Sequence, residues 1–244
     1  MRLKKIVLAT PLTFVKKKQN SPGIWSFSFK PDKPLEWQAG QHIVLFAKSL
    51  TGKRVRRAFS VSSAPSENFL TITTRVPEEL SPFKQFLKKL KKGDKLSSRG
   101  PIGRLIIEPK SQNEYAFLAS GIGITPFRSI LKEMQDNNIE NKITLFFANN
   151  KDSHLFKDEL CKFNTKMKNL KIKYIYYPDR LLGSSIEEQL GEKLQSTIFF
   201  LSGSSQIIKS YRRTLTGLGI KRHNIITDTF IGLRTPQKLK ILAK

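Results

Sequence analysis

The chain has 244 residues, of which 39% are hydrophobic and 26% are charged, proportions close to those of ordinary globular proteins. No segment approaches the roughly 18 consecutive apolar residues that a membrane-spanning helix needs, and the apolar run before Thr10 is too short for a secretory signal. The sequence therefore predicts a cytoplasmic protein without a membrane span, built from one large or two small domains.

Basic residues greatly outnumber acidic ones. The sequence contains 44 lysines and arginines against 19 aspartates and glutamates, a formal charge of +25. Such a charge attracts polyanions and acidic protein surfaces, although a genome-wide lysine bias explains it equally well. The basic residues are scattered along the chain, which disfavours a dedicated nucleic-acid patch. We therefore expect no nucleic-acid ligand.

Cysteine and histidine are scarce. A single cysteine excludes an intrachain disulfide and a cysteine-ligated iron–sulfur cluster, and the three histidines are widely separated in sequence. No metal site is predicted. Cys161 lies between Leu160 and Phe163 in a helical pattern, and we expect it to be a small buried side chain and not a reactive thiol.

Short strands broken by turn residues fill the N-terminal part of the chain. Apolar–polar alternation or short apolar runs predict strands at 24–29, 42–47 and 70–76. One helix is indicated by Ser81 as N-cap, Pro82 in the first turn and Gly93 as a stop signal. Many short strands with a single helix predict a small antiparallel β-barrel, which we assign to residues 1–110.

After Pro109 the pattern changes to strands that alternate with helices. The strands are predicted at 115–120, 143–148, 172–177, 197–201 and 225–230, with a helix between each pair. This alternation predicts an α/β domain with a parallel sheet covered on both faces, assigned to residues 111–233. Residues 234–244 form a basic tail whose role the sequence leaves open.

The strongest local motif is Gly-Ile-Gly-Ile-Thr-Pro at 121–126, between the first strand and helix of the α/β domain. Gly121 and Gly123 permit a sharp turn and bring backbone N–H groups close to a ligand, and the helix N-terminus behind them attracts negative charge. Thr125 is a candidate N-cap and Pro126 suits the first helical turn. On the glycines alone, a tight strand–helix turn is an equally good interpretation. The position at the carboxyl end of a parallel strand favours a nucleotide site.

Two further segments carry candidate binding residues. Ser202, Gly203 and Ser204 form a second strand–helix junction, where the serines are also acceptable as simple helix caps. In the barrel, the segment Arg-Ala-Phe-Ser at 57–60 begins a strand that we expect to reach residue 63. In such a segment, arginine can bind a pyrophosphate, the aromatic side chain can stack on the ring system of a ligand and the serine hydroxyl can hydrogen-bond a ring nitrogen. The alternative interpretation is an ordinary edge strand.

Together these motifs resemble those of the ferredoxin–NADP reductase superfamily. Residues 57–60 are similar to its RxYS flavin motif, 100–103 to its GPxG turn, 121–126 to its GxGxTP motif, 202–205 to its CGPxxM motif and 227–233 to its EExFxGY ending. They occur in the family's order and spacing over nearly the whole chain. The sequence departs from the family at Phe59 in place of tyrosine, at Ser202 in place of cysteine, at Ser204 in place of proline and at Leu233 in place of the terminal aromatic residue.

The resemblance implies FAD, with FMN a weaker alternative, and a nicotinamide nucleotide as cofactors. It implies that Arg57 contacts flavin phosphate, that Phe59 packs beside the flavin and that Ser60 faces flavin N5. Ser60 and Phe230 are the implied catalytic residues, and Phe230 would lie near the isoalloxazine. The implied cofactor-binding residues are Arg57, Ala58, Phe59, Ser60, Arg75, Ser81, Gly121, Gly123, Thr125, Pro126, Ser202, Gly203 and Ser204.

The implied activity is electron transfer from NAD(P)H through bound FAD to a protein or small-molecule acceptor, with an acidic ferredoxin- or flavodoxin-like carrier favoured by the positive charge. A flavin reductase with a small acceptor, an electron-transfer subunit of a larger redox complex and, remotely, a basic nucleic-acid-binding module are the alternatives. NADH and NADPH are not distinguished, although Lys151, Arg212 and Arg213 are candidates to receive a 2′-phosphate.

Overall fold

The computed structural model describes residues 9–48, 52, 54–76, 81–153 and 155–227. Two sheets organise this part of the chain: a six-stranded antiparallel sheet from the N-terminal half and a five-stranded parallel sheet from the C-terminal half. The prediction of an antiparallel barrel followed by an α/β domain is confirmed.

The N-terminal sheet curls into a barrel. Its elements are β1 (Thr10–Ser21), β2 (Ile24–Pro31), β3 (His42–Lys48), β4 (Arg54–Ser60), β5 (Leu70–Arg75), α1 (Pro82–Lys89) and β6 (Lys95–Ile102). The strand order is β4-β3-β6-β1-β2-β5, and an antiparallel bridge between Val61 and Ile72 joins the two outer strands. Alternation along the strands buries one apolar face, and α1 closes that core with Phe83 and Leu87.

The C-terminal sheet is parallel and covered on both faces. Its elements are β7 (Tyr115–Ser120), α2 (Thr125–Asp136), β8 (Ile143–Asn149), α3 (Lys157–Lys166), β9 (Leu170–Tyr176), α4 (Gly183–Leu190), β10 (Ile198–Ser202), α5 (Ser205–Gly217) and β11 (Ile225–Thr227). The strand order is β11-β10-β7-β8-β9. Every residue of the central strand β7 is buried because α2 and α3 pack on one face of the sheet and α4 and α5 on the other.

The barrel and the parallel sheet share a hydrophobic interface. Ile24, Leu105 and Ile107 of the barrel lie in the same buried cluster as Phe117 and Phe127 of the sheet domain. Because this contact is apolar and continuous with the core of the sheet, it fixes the position of the barrel against α2.

Three local expectations are wrong. The helix that was expected to stop near Gly93 ends at Lys89, and the strand expected to reach residue 63 ends at Ser60. Cys161 is exposed and not buried, because Leu160 and Phe163 already set the inward face of α3 and the residue after Leu160 points outward. No helix within the described ranges is long and apolar enough to cross a membrane.

Candidate flavin and nicotinamide site

The turn after β7 is tighter than a simple loop. Gly121 has a φ of +53°, and a 3-10 turn over Gly121–Ile124 leads directly into α2. Thr125 is the first residue of α2, and the N-cap position is occupied by Ile124, so the predicted role of Thr125 as N-cap is wrong. Its hydroxyl donates to the Ile122 carbonyl at 3.0 Å. Pro126 occupies the first turn of α2, as expected.

The turns after β7 and β10 are in direct contact. A Cβ atom added to Gly123 would lie 2.3 Å from the Ser202 carbonyl oxygen and 2.8 Å from the Gly203 nitrogen. Glycine at 123 is therefore required by the neighbouring backbone. Ser204 is the N-cap of α5, and its hydroxyl accepts from the backbone N–H of Ile207 at 3.4 Å. The two predicted junctions thus form one edge of the sheet.

On the barrel side, β4 presents its motif on two faces. Arg57 and Phe59 share one face by strand alternation, whereas Ala58 and Ser60 share the other. The Phe59 ring is buried against Phe83, with 5.6 Å between the ring centroids. Ser81 stands at the N-cap position of α1, but its hydroxyl makes no capping hydrogen bond.

Arg75 brings the barrel and the sheet edge together. It is the last residue of β5, and its Nη2 atom is the nearest group to the space above Gly121, 4.0 Å from where a Cβ atom would lie. The end of β5 in the barrel and the glycine turn of the sheet therefore lie side by side. Phe230 lies outside the described residues.

A buried arginine that sequence reasoning missed anchors α2 to the barrel. Arg128 donates to the Ser62 carbonyl at 3.0 Å, to Glu67 at 3.1 Å and to Glu159 at 2.9 Å. Burial alone would lower the pKa of Arg128, but the bonds to Glu159 and Glu67 outweigh it and raise the pKa. Ser129 donates to the Ser63 carbonyl at 2.6 Å. The loop after Ser60 is thus held by the helix that follows the Gly121 turn.

Lys84 is a second residue that the motifs did not mark. It lies in the first turn of α1, its ammonium donates to the Thr74 hydroxyl and its Nζ lies 5.0 Å from the centroid of the Phe59 ring. Burial, with a smaller contribution from the like charge of Arg57, lowers the pKa of Lys84 from 10.5 to about 7. A sequence signal existed, since Lys84 directly follows the buried Phe83 on an amphipathic helix.

The residues present fit an anionic cofactor and a second ligand at the sheet edge. Arg57, Lys84 and the N-terminus of α1 concentrate positive charge, and the first turn of α1 contains no acidic residue. At the sheet edge, the Ser202 hydroxyl is buried and has no hydrogen-bond partner among the described residues. A buried orphan hydroxyl in a native structure calls for a ligand or a water molecule.

The neighbouring hydroxyls along this edge are paired. Ser120 and Tyr177 share a hydrogen bond of 2.7 Å, and the buried Tyr211 donates to the Ala119 carbonyl at 3.4 Å. Burial, followed by the effect of Tyr177, raises the pKa of Tyr211, so this phenol stays neutral. Of the 2′-phosphate candidates, Arg212 donates to the Thr227 hydroxyl at 2.7 Å, and Lys151 is exposed just after β8.

The barrel carries Arg57 and Lys84 beside the N-terminus of α1, and it is joined to a parallel sheet with glycine turns at its carboxyl edge. This is the arrangement expected of a flavin-binding domain followed by a nicotinamide-nucleotide-binding domain. Family models agree: residues 11–107 match an oxidoreductase FAD-binding domain, and residues 117–213 match an oxidoreductase NAD-binding domain. The chain belongs to the ferredoxin–NADP reductase superfamily and has FAD- and NAD-binding domains.

Individual relatives support the same family. The chain is 26% identical to a flavohemoprotein of Bacillus subtilis over 237 residues, which cover 90% of this chain and 59% of the relative. It is 28% identical to NADH-cytochrome b5 reductase 1 of Emericella nidulans over 231 residues, covering 84% and 74% of the two chains. The chain thus spans somewhat more than half of the flavohemoprotein.

A solved structure has the same fold. The flavohem-like FAD/NAD binding domain of nitric oxide dioxygenase from Vibrio cholerae superimposes with a TM-score of 0.75 at 20% identity, covering 91% of this chain and 98% of that one.

Proposed function

We propose that this protein takes electrons from NAD(P)H through bound FAD and delivers them to a protein or small-molecule acceptor. The observation that carries the proposal is the approach of Arg75, at the end of a barrel strand, to the Gly121 turn of the parallel sheet. It supports a site in which the barrel and the nucleotide turns would form the two walls of one cleft. When bound, FAD accepts a hydride from the nicotinamide and releases electrons one at a time, so the hydride step needs no catalytic acid or base from the protein.

The barrel residues are proposed to hold the flavin. Arg57 and Ser81 would contact its phosphates, with Arg75 placed at the mouth of the cleft. Phe59 would pack beside the ring system, and Ser60 would hydrogen-bond the ring nitrogen, supported by the backbone of Ala58. The Arg128 anchor on the loop after Ser60 would keep this strand in place.

The sheet-edge residues are proposed to hold the nicotinamide nucleotide. Gly121, Gly123, Thr125 and Pro126 would line its phosphates at the N-terminus of α2. The second turn would receive the nicotinamide. In that turn Gly203 leaves space, the orphan Ser202 hydroxyl supplies a hydrogen bond and Ser204 holds the start of α5. Phe230, outside the described residues, would lie near the flavin.

We also propose that the chain divides into a flavin domain at 1–110, a nucleotide domain at 111–233 and a basic tail at 234–244, and that the protein is cytoplasmic.

The formal charge of +25 supports an acidic electron carrier as acceptor. Reduction of an acidic ferredoxin or flavodoxin should then slow steeply between low and high salt. Reduction of an uncharged quinone, measured in parallel, should change little. Equal salt dependence for both acceptors would contradict the acidic-carrier proposal.

Binding measurements on the full chain test the two-site assignment. Arg57→Met should weaken FAD binding by about tenfold or more and leave NAD(P)H affinity unchanged. Gly203→Val should weaken NAD(P)H binding and leave FAD affinity unchanged, because a side chain there meets Ser120 at 3.4 Å. If each variant affected both ligands alike, or neither, the proposed sites would be wrong.

A further inference from the structure

A lysine that the family motifs do not include lies beside the aromatic residue of the proposed flavin motif. Lys84 projects from the first turn of α1 towards β4 and β5, where it bonds Thr74 and lies over the Phe59 ring. Its position between Arg57 and the helix N-terminus places three sources of positive charge in one small volume.

We propose that Lys84 is an additional phosphate-binding residue of the flavin site, and that it holds the FAD diphosphate as a protonated ammonium, so that flavin binding takes up a proton. This inference rests on the proposed function, because it requires FAD to occupy the barrel. Proton and charge balance are simple: a neutral amine gains one proton from solvent and pairs with the diphosphate, and no covalent bond changes.

The surroundings of Lys84 give it no acidic partner within the described residues. Arg57 on β4 is the charged group that acts on it, and it has the same sign. Of the other basic residues, His42, Arg54 and Arg56 of β3 and β4 lie on the opposite face by alternation. Arg75 directly follows Thr74 in β5, so it lies on the other face of that strand. Glu78 and Glu79, which precede the helix in sequence, lie outside the described residues.

A diphosphate would reverse this balance. Without an anion, burial lowers the pKa of the Lys84 amine to about 7, so that about half of the molecules carry a neutral amine at pH 7. A diphosphate placed between Arg57 and Lys84 supplies negative charge at hydrogen-bonding distance and favours the protonated form. The same lysine therefore destabilises the apoprotein near neutral pH, and it becomes a strong ligand when FAD supplies the missing negative charge.

The test is FAD binding to the apoprotein of the full chain, followed by flavin fluorescence and by calorimetry in buffers of different ionisation enthalpy. From a pKa of about 7, binding should take up about 0.9 proton at pH 8 and about 0.1 at pH 6. The dissociation constant should rise by up to about tenfold per pH unit above pH 7. Riboflavin, which has no phosphate, should show neither effect.

Three variants isolate the residue. Lys84→Met should weaken FAD binding by about tenfold or more near pH 6 and abolish the proton uptake at pH 8. Lys84→Arg keeps the charge at every pH in this range, so it should bind FAD with a flat pH profile and no uptake. Lys89→Met, an exposed lysine on the same helix, should behave as wild type.

Failure of this inference is distinguishable from failure of the proposed function. If the wild-type apoprotein binds FAD but Lys84→Met and Lys89→Met show the same affinity and the same proton uptake, the role of Lys84 is overturned and the flavin site stands. Persistence of the pH dependence in Lys84→Arg would overturn it equally. If wild-type protein binds no FAD at all, both proposals fall.

Discussion

The guanidinium of Arg128 in α2 and the carboxylate of Glu67 in the connection between β4 and β5 form an ion pair that joins the parallel sheet to the barrel. The same guanidinium also pairs with Glu159 on α3, and its side chain is only 11% exposed. One buried cation thus pairs with two carboxylates and links the loop after β4 to the helix after the glycine turn.

Removing this cation should destabilise the protein strongly. Arg128→Met leaves two partly buried carboxylates without their cationic partner, which we expect to lower the free energy of unfolding by about 3 kcal/mol. Urea unfolding at pH 7 measures this change in the free energy of unfolding. The matched control is Lys132→Met, one turn along the same helix, which breaks an i,i+4 pair with Asp136 and should cost at most about 0.5 kcal/mol. Equal losses of unfolding free energy in the two variants would show that the ion pairs of Arg128 stabilise the protein no more than an ordinary i,i+4 pair on a helix.

Gly123→Ala should disrupt the contact between the two turns. The added Cβ atom would lie 2.3 Å from the Ser202 carbonyl oxygen, so the turns must separate. We expect NAD(P)H binding to weaken by about tenfold or more, equivalent to about 1.4 kcal/mol, as measured by titration of the flavin-loaded protein. Gly217→Ala in α5, where nothing lies within 4 Å of the added atom, should bind normally and gain up to about 1 kcal/mol of stability. Normal nucleotide binding by Gly123→Ala would refute the expected disruption.

Lys84 should make the apoprotein less stable at neutral pH than at alkaline pH. Its pKa is lowered from 10.5 to about 7 in the folded state, so the folded state binds the proton less well than the unfolded state does. The resulting penalty is absent above pH 10.5, grows as the pH falls and is complete below pH 7.

Apoprotein carrying Lys84→Met should therefore melt at least about 2 °C above wild type at pH 6.5, and this difference should disappear near pH 10.5. Scanning calorimetry across the pH range, with Lys89→Met as control, measures the difference. A gain that grew with rising pH would have the wrong sign for this account.

The orphan hydroxyl of Ser202 gives another test. Without a ligand, Ser202→Ala removes an unsatisfied buried group and should stabilise the protein by up to about 1 kcal/mol. With NAD(P)H present the same change should lower nucleotide affinity, because the hydroxyl would lose its partner. Thermal shifts with and without NAD(P)H separate the two effects. Loss of stability without nucleotide would mean that the hydroxyl is already satisfied.

Local patterns predicted the elements that depend on local sequence. Strand β7 and its glycine turn were predicted at residues 115–126 because an unbroken apolar run followed by Gly, Thr and Pro has few other structures. The prediction that Cys161 is buried is wrong because it rests on the apolar neighbours Leu160 and Phe163 alone. In a helix whose inward face contains these two residues, the residue directly after Leu160 points away from the core.

Long-range contacts could not be predicted in this way. Arg128 and Glu67 are 61 positions apart, and only the docking of α2 on the barrel brings them together. Lys84 and Phe59 meet for the same kind of reason, since α1 folds back across β4. Charge and hydrophobicity patterns describe single elements. The pKa of Lys84, in contrast, depends on the packing of α1 against both β4 and β5.

An anaerobic visible spectrum of the purified full chain, loaded with FAD and then mixed with NADH or NADPH, tests the central claim most directly. If the barrel holds the flavin and the sheet edge brings the nicotinamide to it, the protein should be yellow and its flavin absorption band should bleach on addition of one of the two nucleotides. A colourless protein that takes up no FAD, or a yellow one whose band neither nucleotide changes, would contradict the account.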